Sequence, residues 1–338
     1  MIAQWKVSKS IHTHNLAYPA RSRLIKKVKF KLKGLKMRNA GLAASLVCVV
    51  IVIVGLLLAI AGSDDGYVPN NSPRGIPLFA LTAILIFGTQ WILFVPAYIF
   101  QTEKFFDLTG GVTYVIAMIF TVALAENMTL VGYILALMII VWALRLSSFL
   151  SLRIQRDGFD KRFTTIKPSM SRFFMTWNLQ GLWVLSCSSP ALAAIAADGR
   201  ELEITPYAVI GALIWGIGFV LEILADGQKK RFRADPANEG RFITSGLWAW
   251  SRHPNYLGEI LLWTGILIML ITELSGWQYI TALSVPYTIF MLTKVSGIRM
   301  LDEHGDAKWG SDKKYIWYQK NTPALILRPP KSMEDDLL

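Results

Sequence analysis

Long apolar runs separated by short polar segments cover most of the chain after residue 40. The first run spans 41–62 and is almost pure Val, Ile and Leu over 49–58. Seven more runs follow, at 77–100, 112–128, 130–150, 173–197, 206–226, 257–275 and 277–294. Because a helix needs roughly 20 apolar residues to cross a bilayer, the pattern predicts an all-α integral membrane protein with about eight transmembrane helices.

The composition agrees with this fold class and argues against a water-soluble enzyme. Of the 338 residues, 53% are hydrophobic and 17% are charged, and the mean hydropathy is +0.42. Both cysteines, Cys48 and Cys187, lie inside apolar runs, which argues against a disulfide scaffold or a cysteine-rich metal site. The four histidines have no ligand-like spacing, so no metal site is predicted.

The net charge of +12 comes almost entirely from one segment. Residues 1–38 contain eleven Lys/Arg and no Asp or Glu, and the rest of the chain has 24 Lys/Arg against 23 Asp/Glu. A basic arm directly before an apolar helix is typical of a cytoplasmic anchor that contacts anionic membrane lipid, and we predict no nucleic-acid partner. Met37 is an alternative start, in which case the arm is not part of the protein.

The remaining Lys and Arg residues are concentrated in alternate loops. With the arm inside, the inner segments are 101–111, 151–172, 227–256 and the tail after Gly297, and the outer loops contain few basic residues. By the positive-inside rule, we expect both termini in the cytoplasm.

Four charged residues follow the 206–226 run at helical spacing. If this helix continues, Glu222, Asp226, Lys230 and Arg233 fall at i, i+4, i+8 and i+11 on one face. One interpretation is a set of ions that pair with each other at a helix end. The other is a binding face, in which carboxylates take ribose hydroxyls and cations take phosphate.

A polar motif, Arg252-His253-Pro254-Asn255-Tyr256, leads into the next apolar run. Pro254 is placed as the first residue of a helix, and Gly258 permits close approach of a ligand or a neighbouring helix. Glu259 then lies one turn inside the membrane, where a carboxylate is costly unless it is paired or contacts a ligand. Its structural alternative is an ion pair with Arg252 or with a neighbouring helix.

These segments resemble the steroid 5-alpha-reductase superfamily, especially its bacterial members of unknown function. The matching positions are 246–248, 251–256, 258–259, 293–298, 308–310, Tyr315, Tyr318 and 322–323, with Arg145 and 179–181 upstream. The resemblance implies a seven-helix reductase-like domain over 77–330 and a location in the bacterial inner membrane. The flanking parts are then the basic arm (1–38), an extra transmembrane helix with its outer loop (39–76) and a tail (331–338).

The resemblance implies NADPH as cofactor, bound among the last helices without a soluble dinucleotide-binding domain. Asp226, Lys230 and Arg233, next to Glu222, would hold ribose and phosphates, and the two cations favour NADPH over NADH. The other implied cofactor contacts are Arg252, His253, Asn255, Tyr256 and Glu259 around the nicotinamide and pyrophosphate, with Tyr318 closing the site.

The implied reaction is reduction of an activated carbon–carbon double bond in a lipid-soluble substrate. Hydride goes to the carbon β to a carbonyl and a proton to the α carbon. Family steroid reductases polarise the carbonyl with a carboxylate early in the second core helix and a tyrosine in the third.

This chain departs from that pattern, so the 3-oxo-steroid substrate is not carried over. The nearest carboxylates are Asp107, just before the 112–128 run, and Glu103, and Trp142 occupies the tyrosine position. Tyr114 is either a substitute or a tyrosine of the interfacial aromatic belt. The candidate catalytic residues are therefore Asp107, Glu103, Tyr114 and Glu259, and the residues expected near the substrate are Trp142, Arg145 and Gln180.

Two other functions stay open. Membrane methyltransferases of the isoprenylcysteine or phospholipid type share a similar motif and bind S-adenosylmethionine, but their paired glutamates correspond here to Asp302-Glu303. The long polar face from Glu222 to Arg233 favours a dinucleotide, since S-adenosylmethionine has no phosphate. A non-catalytic lipid-binding scaffold is the other alternative, and Trp142 is the feature that favours it.

Overall fold

The computed structural model describes residues 18–331, with side chains from residue 39 onward except at 161. This part of the chain is helical, which confirms the predicted fold class. Its α-helices are α1 Tyr18–Gly62, α2 Leu78–Ile99, α3 Phe106–Leu124, α4 Leu130–Asp157, α5 Met170–Ile195, α6 Pro206–Ala234, α7 Leu247–Trp250, α8 Pro254–Leu270, α9 Ser284–Phe290, α10 Ile298–Trp309 and α11 Lys313–Asn321.

Five of the described helices are long and apolar enough to cross a membrane. They are the Asn39–Gly62 part of α1 together with α2, α3, α4 and α6. The apolar helix α8 is shorter, with 17 residues. In α5 every residue from 184 to 195 is buried, so this helix forms much of the core. The number of eight crossings and the side of each terminus stay predictions.

The last apolar run does not form the single helix expected over 277–294. It is divided into a 3-10 segment, Gly276–Leu283, then α9, then a π-helical turn, Met291–Val295. Such turns often occur at functional sites, and this one ends where Ser296 and Gly297 reach the cavity described below.

Three helices extend at one end beyond the apolar runs that predict them: α3 at its start, and α4 and α6 at their ends. α3 spans 106–124 instead of 112–128, α4 reaches Asp157 instead of 150, and α6 reaches Ala234 instead of 226. A hydropathy pattern shows only which segments can face lipid. A helix can continue beyond such a segment with polar residues that face water or a cavity. Asp107 therefore lies in the first turn of α3 rather than before it, where the helix dipole favours a carboxylate.

The first helix is longer than its membrane-crossing part. α1 begins at Tyr18, so the backbone of the predicted basic arm continues directly into the apolar run. Residues 1–17 of the arm and 332–338 of the predicted tail lie outside the described residues. Within the described part, α1 packs along α5, which makes it a component of the helix bundle.

The loop after α1 is tied to the segment before α9. The Asp64 carboxylate accepts a hydrogen bond from the Trp277 N–H at 2.7 Å, and the Gln278 side chain donates to the Asp64 carbonyl at 2.6 Å. The Ser275 hydroxyl donates to Asp65 Oδ2 at 3.0 Å. These bonds close the end of the bundle opposite to the cavity.

Helices α6 and α8 are in direct backbone contact. A methyl group added at Gly258 would lie 2.7 Å from both the Glu222 nitrogen and the Gly218 oxygen. A methyl group at Gly218 would lie 2.6 Å from the Gly258 oxygen, and Gly211 and Gly265 meet in the same way further along. Small residues permit such contacts between membrane helices. The expected close approach at Gly258 is therefore confirmed, and its neighbour is α6.

Replacement of Gly258 by valine should separate α6 from α8 and lower the melting temperature of the detergent-solubilised protein. Overpacking costs about 1–3 kcal/mol. Gly216→Ala in α6 is the matched control, because no atom lies within 4 Å of its added methyl group. Thermal unfolding followed by circular dichroism measures both variants. Equal melting temperatures for Gly258→Val and the unaltered protein would contradict the contact.

Candidate active site

A cavity of about 580 Å³ opens where α4 and α6 end and where α3, α8 and α10 begin. Apolar side chains such as Phe149, Trp183 and Leu292 form part of its wall. Six basic residues also line it: Arg153, Arg156, Arg162, Lys229, Lys230 and Arg233. A cavity of this size is typical of a small-molecule site, which measures roughly 300–1,000 Å³.

The predicted stripe on α6 faces this cavity. Because α6 continues to Ala234, Glu222, Asp226, Lys230 and Arg233 lie on one helix, and all four line the cavity. The two carboxylates are buried and the two cations are more exposed, so the stripe runs from a buried acidic end to an open basic end.

One arginine from α4 neutralises the acidic end. Arg145 Nη1 lies 2.6 Å from Glu222 Oε1 and its Nη2 lies 2.7 Å from Asp226 Oδ2. The Trp142 indole N–H donates to Glu222 Oε2 at 3.0 Å. Arg145 and Trp142, both expected near the substrate, thus contact carboxylates that line the cavity. The ions of the α6 stripe do not simply pair with each other, because the acidic pair takes its cation from another helix.

The start of α8 completes the cavity wall. Pro254 is the first residue of α8, as predicted, and Asn255, Tyr256 and Glu259 line the cavity. Glu259 is buried and forms no hydrogen bond or ion pair with any described residue. The structural alternative of a pair with Arg252 does not occur, since Arg252 pairs with Asp302 at 2.8 Å and also donates to Gln319.

A second cavity of about 400 Å³ adjoins the first and shares Lys229, Arg233 and Leu301 with it. The remaining predicted cofactor residues, Arg252, His253 and Tyr318, line this second cavity. The Nε2 of the buried His253 lies 3.6 Å from Asp302 Oδ1, and its Nδ1 has no hydrogen-bond partner among the described residues. Burial lowers the pKa of the imidazole. The Tyr318 hydroxyl donates to the Trp248 carbonyl at 2.6 Å.

The two predicted carboxylates near α3 lie in different surroundings. Asp107 lines the first cavity, 3.7 Å from Arg153. Glu103 lies outside the lining of the cavity; it pairs with Lys167 and accepts the Asp160 N–H at 3.0 Å. Burial raises the pKa of Glu103, but the bonds to Lys167 and Asp160 outweigh it and hold the pKa below its ordinary value.

Tyr114 lies in the core and Gln180 is half-buried, and neither lines the cavity. Tyr114 is buried, which is not the position of a belt tyrosine, and its ring stacks on Trp263 with centroids 5.8 Å apart. Trp142 contacts both rings edge-on. The Gln180 side chain donates to the Phe106 carbonyl at 3.1 Å and fills the space beside Gly110.

Sequence reasoning missed the cations contributed by α4. The apolar run ends at 150, so the hydropathy pattern assigns Arg153 and Arg156 to the inner loop 151–172. With α4 extended to Asp157, residues Arg145, Phe149, Arg153 and Arg156 repeat the i, i+4, i+8, i+11 spacing of the α6 stripe. The same spacing argument applied to α4 would have found them.

The fold is that of a helical membrane protein, and a polar cavity of small-molecule size lies at one end of its bundle. Residues 93–322 match the family described as "Protein of unknown function (DUF1295)", which is a steroid 5-alpha-reductase-like family, and the chain belongs to it. No solved structure matches the chain.

Three curated proteins are similar to parts of the chain. A probable O-methyltransferase of Ustilaginoidea virens is 32% identical over 80 residues, 24% of this chain. An uncharacterised protein of Schizosaccharomyces pombe is 30% identical over 133 residues, 32% of the chain, and a Delta(14)-sterol reductase of Arabidopsis thaliana is 29% identical over 98 residues, 26% of the chain. The matches cover 28%, 38% and 23% of these relatives' own lengths.

Arg145→Leu should strongly destabilise the protein, because it leaves the buried Glu222 and Asp226 without their shared cation. Breaking a buried ion pair in this way costs about 3–5 kcal/mol. Thermal unfolding in detergent should show a large decrease in melting temperature, and adding Glu222→Gln should restore part of it.

The matched control for this prediction is Arg299→Leu. Arg299 pairs with Glu303 on the surface, with both side chains about two-thirds exposed, and such pairs contribute at most about 1 kcal/mol. If the two arginine variants melt at the same temperature, the proposed role of Arg145 is wrong.

Proposed function

We propose that the protein is a membrane-embedded reductase that uses NADPH to reduce an activated carbon–carbon double bond in a lipid-soluble substrate. The observation that carries the proposal is the excess of basic over acidic residues in the lining of the cavity. The lining contains six Lys/Arg and four carboxylates, and two of these carboxylates, Glu222 and Asp226, are both paired with Arg145. Lys and Arg bind phosphate through charge-assisted hydrogen bonds, and NADPH has a pyrophosphate and a 2′-phosphate.

The two cavities fit such a ligand in size and chemistry. An extended molecule can lie across both, because their linings meet at Lys229, Arg233 and Leu301. Arg252 Nε and His253 Nδ1 are buried without hydrogen-bond partners among the described residues. Buried polar atoms normally have a hydrogen-bond partner, so these two nitrogens are suited to a polar ligand.

The residues that would hold the cofactor form two groups, one for its phosphates and one for its nicotinamide. Arg153, Arg156, Lys230 and Arg233 would bind phosphate groups near the mouth, and Asn255 and Tyr256 would lie next to the nicotinamide, in the deeper part of the cavity. The chemistry that bound NADPH would supply is hydride transfer.

Glu259 is the side chain best placed to exchange a proton with a bound ligand. The other carboxylates of the lining are engaged: Asp107 faces Arg153, and Glu222 and Asp226 are held by Arg145. The Trp142 N–H is committed to Glu222, so it is not free to polarise a substrate carbonyl. The packed rings of Tyr114, Trp142 and Trp263 exclude water from the interior below this site.

Methyl transfer is the second candidate function, and the similarity to an O-methyltransferase favours it. S-adenosylmethionine is a cation without phosphate. A cavity with six basic residues is therefore poorly matched to it, whereas it is well matched to a dinucleotide phosphate.

NADPH should raise the melting temperature of the purified protein in detergent, and S-adenosylmethionine should not. A ligand at 100 times its dissociation constant stabilises a protein by about 2.7 kcal/mol. The measurement compares NADPH, NADH and S-adenosylmethionine in parallel. Lys230→Gln should weaken the effect of NADPH, and Lys104→Gln, which alters an exposed cation outside the cavity lining, should leave it unchanged.

The other results of this comparison are equally informative. Stabilisation by S-adenosylmethionine alone would replace the reductase with a methyltransferase. Stabilisation by none of the three ligands would contradict both enzymes and favour a lipid-binding scaffold.

Glu259→Gln should reduce NADPH binding or turnover while expression and the melting temperature of the ligand-free protein stay unchanged. Loss of a proton-transfer group lowers turnover by about 10²–10⁴-fold. The readouts are NADPH-induced stabilisation and NADPH oxidation with a panel of hydrophobic enones. Glu201→Gln, an exposed glutamate outside the cavity lining, is the control. Collapse of folding with no ligand-dependent effect would assign Glu259 a structural role instead.

A further inference from the structure

The segment between α4 and α5 contributes one of the six basic residues of the cavity, Arg162. Its guanidinium forms two hydrogen bonds with Asp160 Oδ2, at 2.9 Å from Nε and 2.5 Å from Nη2. The Arg162 side chain is still 45% exposed, whereas Asp160 is 10% exposed. Asp160 therefore aims Arg162 without covering it, and the guanidinium remains accessible from the cavity.

Glu103 anchors this segment on both sides of Arg162. One carboxylate oxygen accepts the Asp160 N–H at 3.0 Å, and the other pairs with Lys167. Glu103 is buried and precedes α3, so its own position is fixed by the α2–α3 turn.

An aromatic contact supplies a third anchor. Phe163, next to Arg162, is buried against Phe106 and Phe173, with ring centroids 5.0 and 6.0 Å away. Phe106 follows Glu103 by three residues, so the same turn holds the segment by charge and by packing. Arg162 is thus the accessible member of a segment whose neighbours are held in place.

We propose that Glu103 is a positioning residue: it fixes Asp160 and Lys167 and so holds Arg162 at the cavity, where Arg162 binds a phosphate group of the dinucleotide. This inference rests on the proposed function. It gives Glu103 a role in cofactor affinity rather than in proton transfer. The lowered pKa of Glu103 agrees with this role, because an ionised carboxylate can accept both bonds.

The expected energetic effect is one of preorganisation. A free arginine side chain and a free loop must both be ordered when a ligand binds, and this ordering weakens affinity. With Glu103 in place, most of that ordering precedes binding. We therefore expect substitutions of Glu103 to change ligand affinity through Arg162.

The experiment measures dissociation constants by calorimetry for NADPH and for 2′-phospho-ADP-ribose, which has every phosphate of NADPH but no nicotinamide. Arg162→Gln should weaken both ligands about 10- to 100-fold, as expected for a hydrogen bond to a charged group. Glu103→Ala should weaken both about 2- to 10-fold, the effect of one hydrogen bond. Glu103→Gln, which can still accept the Asp160 N–H, should recover part of the loss.

The double variant Glu103→Ala/Arg162→Gln decides whether the two residues act together. It should bind no more weakly than Arg162→Gln alone, whereas a general structural defect would add to the loss. Glu126→Gln, an exposed glutamate far from this segment in sequence, is the control for loss of one carboxylate.

Failure of the inference can be told apart from failure of the proposed function. If the unaltered protein binds neither ligand, the reductase proposal fails. If it binds both and Glu103→Ala leaves the constants unchanged or combines additively with Arg162→Gln, the positioning role is wrong. Loss of NADPH binding with intact binding of 2′-phospho-ADP-ribose would also overturn it, since Glu103 would then act at the nicotinamide.

Discussion

The backbone contact between α6 and α8 determines where three of the four carboxylates of the cavity lie, those of Glu222, Asp226 and Glu259. Glu222 follows Gly218 by one turn, and Glu259 directly follows Gly258, so the contact of these two glycines brings both acids to one place. Like charges in a medium of low polarity would otherwise move apart. The helices hold them together through packing that needs no side chain, and Arg145 from α4 supplies a compensating charge for Glu222.

Two charged stripes of equal spacing then face each other across the cavity. At the deep end, Arg145 of α4 meets the acids of α6, and these charges are satisfied. At the mouth, Arg153 and Arg156 face Lys230 and Arg233, with basic residues on both sides. Repulsion between these cations would be relieved by an anion. The cavity thus has a basic mouth and an acidic deep end, which Arg145 neutralises in part.

The sequence was most informative where a single helix carries the pattern. The α6 stripe and the helix start at Pro254 follow from spacing and from the conformational limits of proline, so both could be predicted. The polar ends of α3 and α4 could not, because hydropathy reports exposure to lipid and these turns face a cavity. The partners of Arg145 and Glu103 depend on which helices are neighbours, and no local pattern contains that information.

The bonds between the loop after α1 and the segment before α9 bear on how the chain is made. Asp65 and Ser275 are 210 residues apart in the sequence. Asp64 is 213 residues from Trp277 and 214 residues from Gln278. During synthesis, α1 therefore enters the membrane well before the residues that complete its polar loop have been translated. By then α1 can already pack along α5, and its loop can already bond to Ala196 and Asp198, so the bonds to residues 275–278 are a late addition to a packing that is in place.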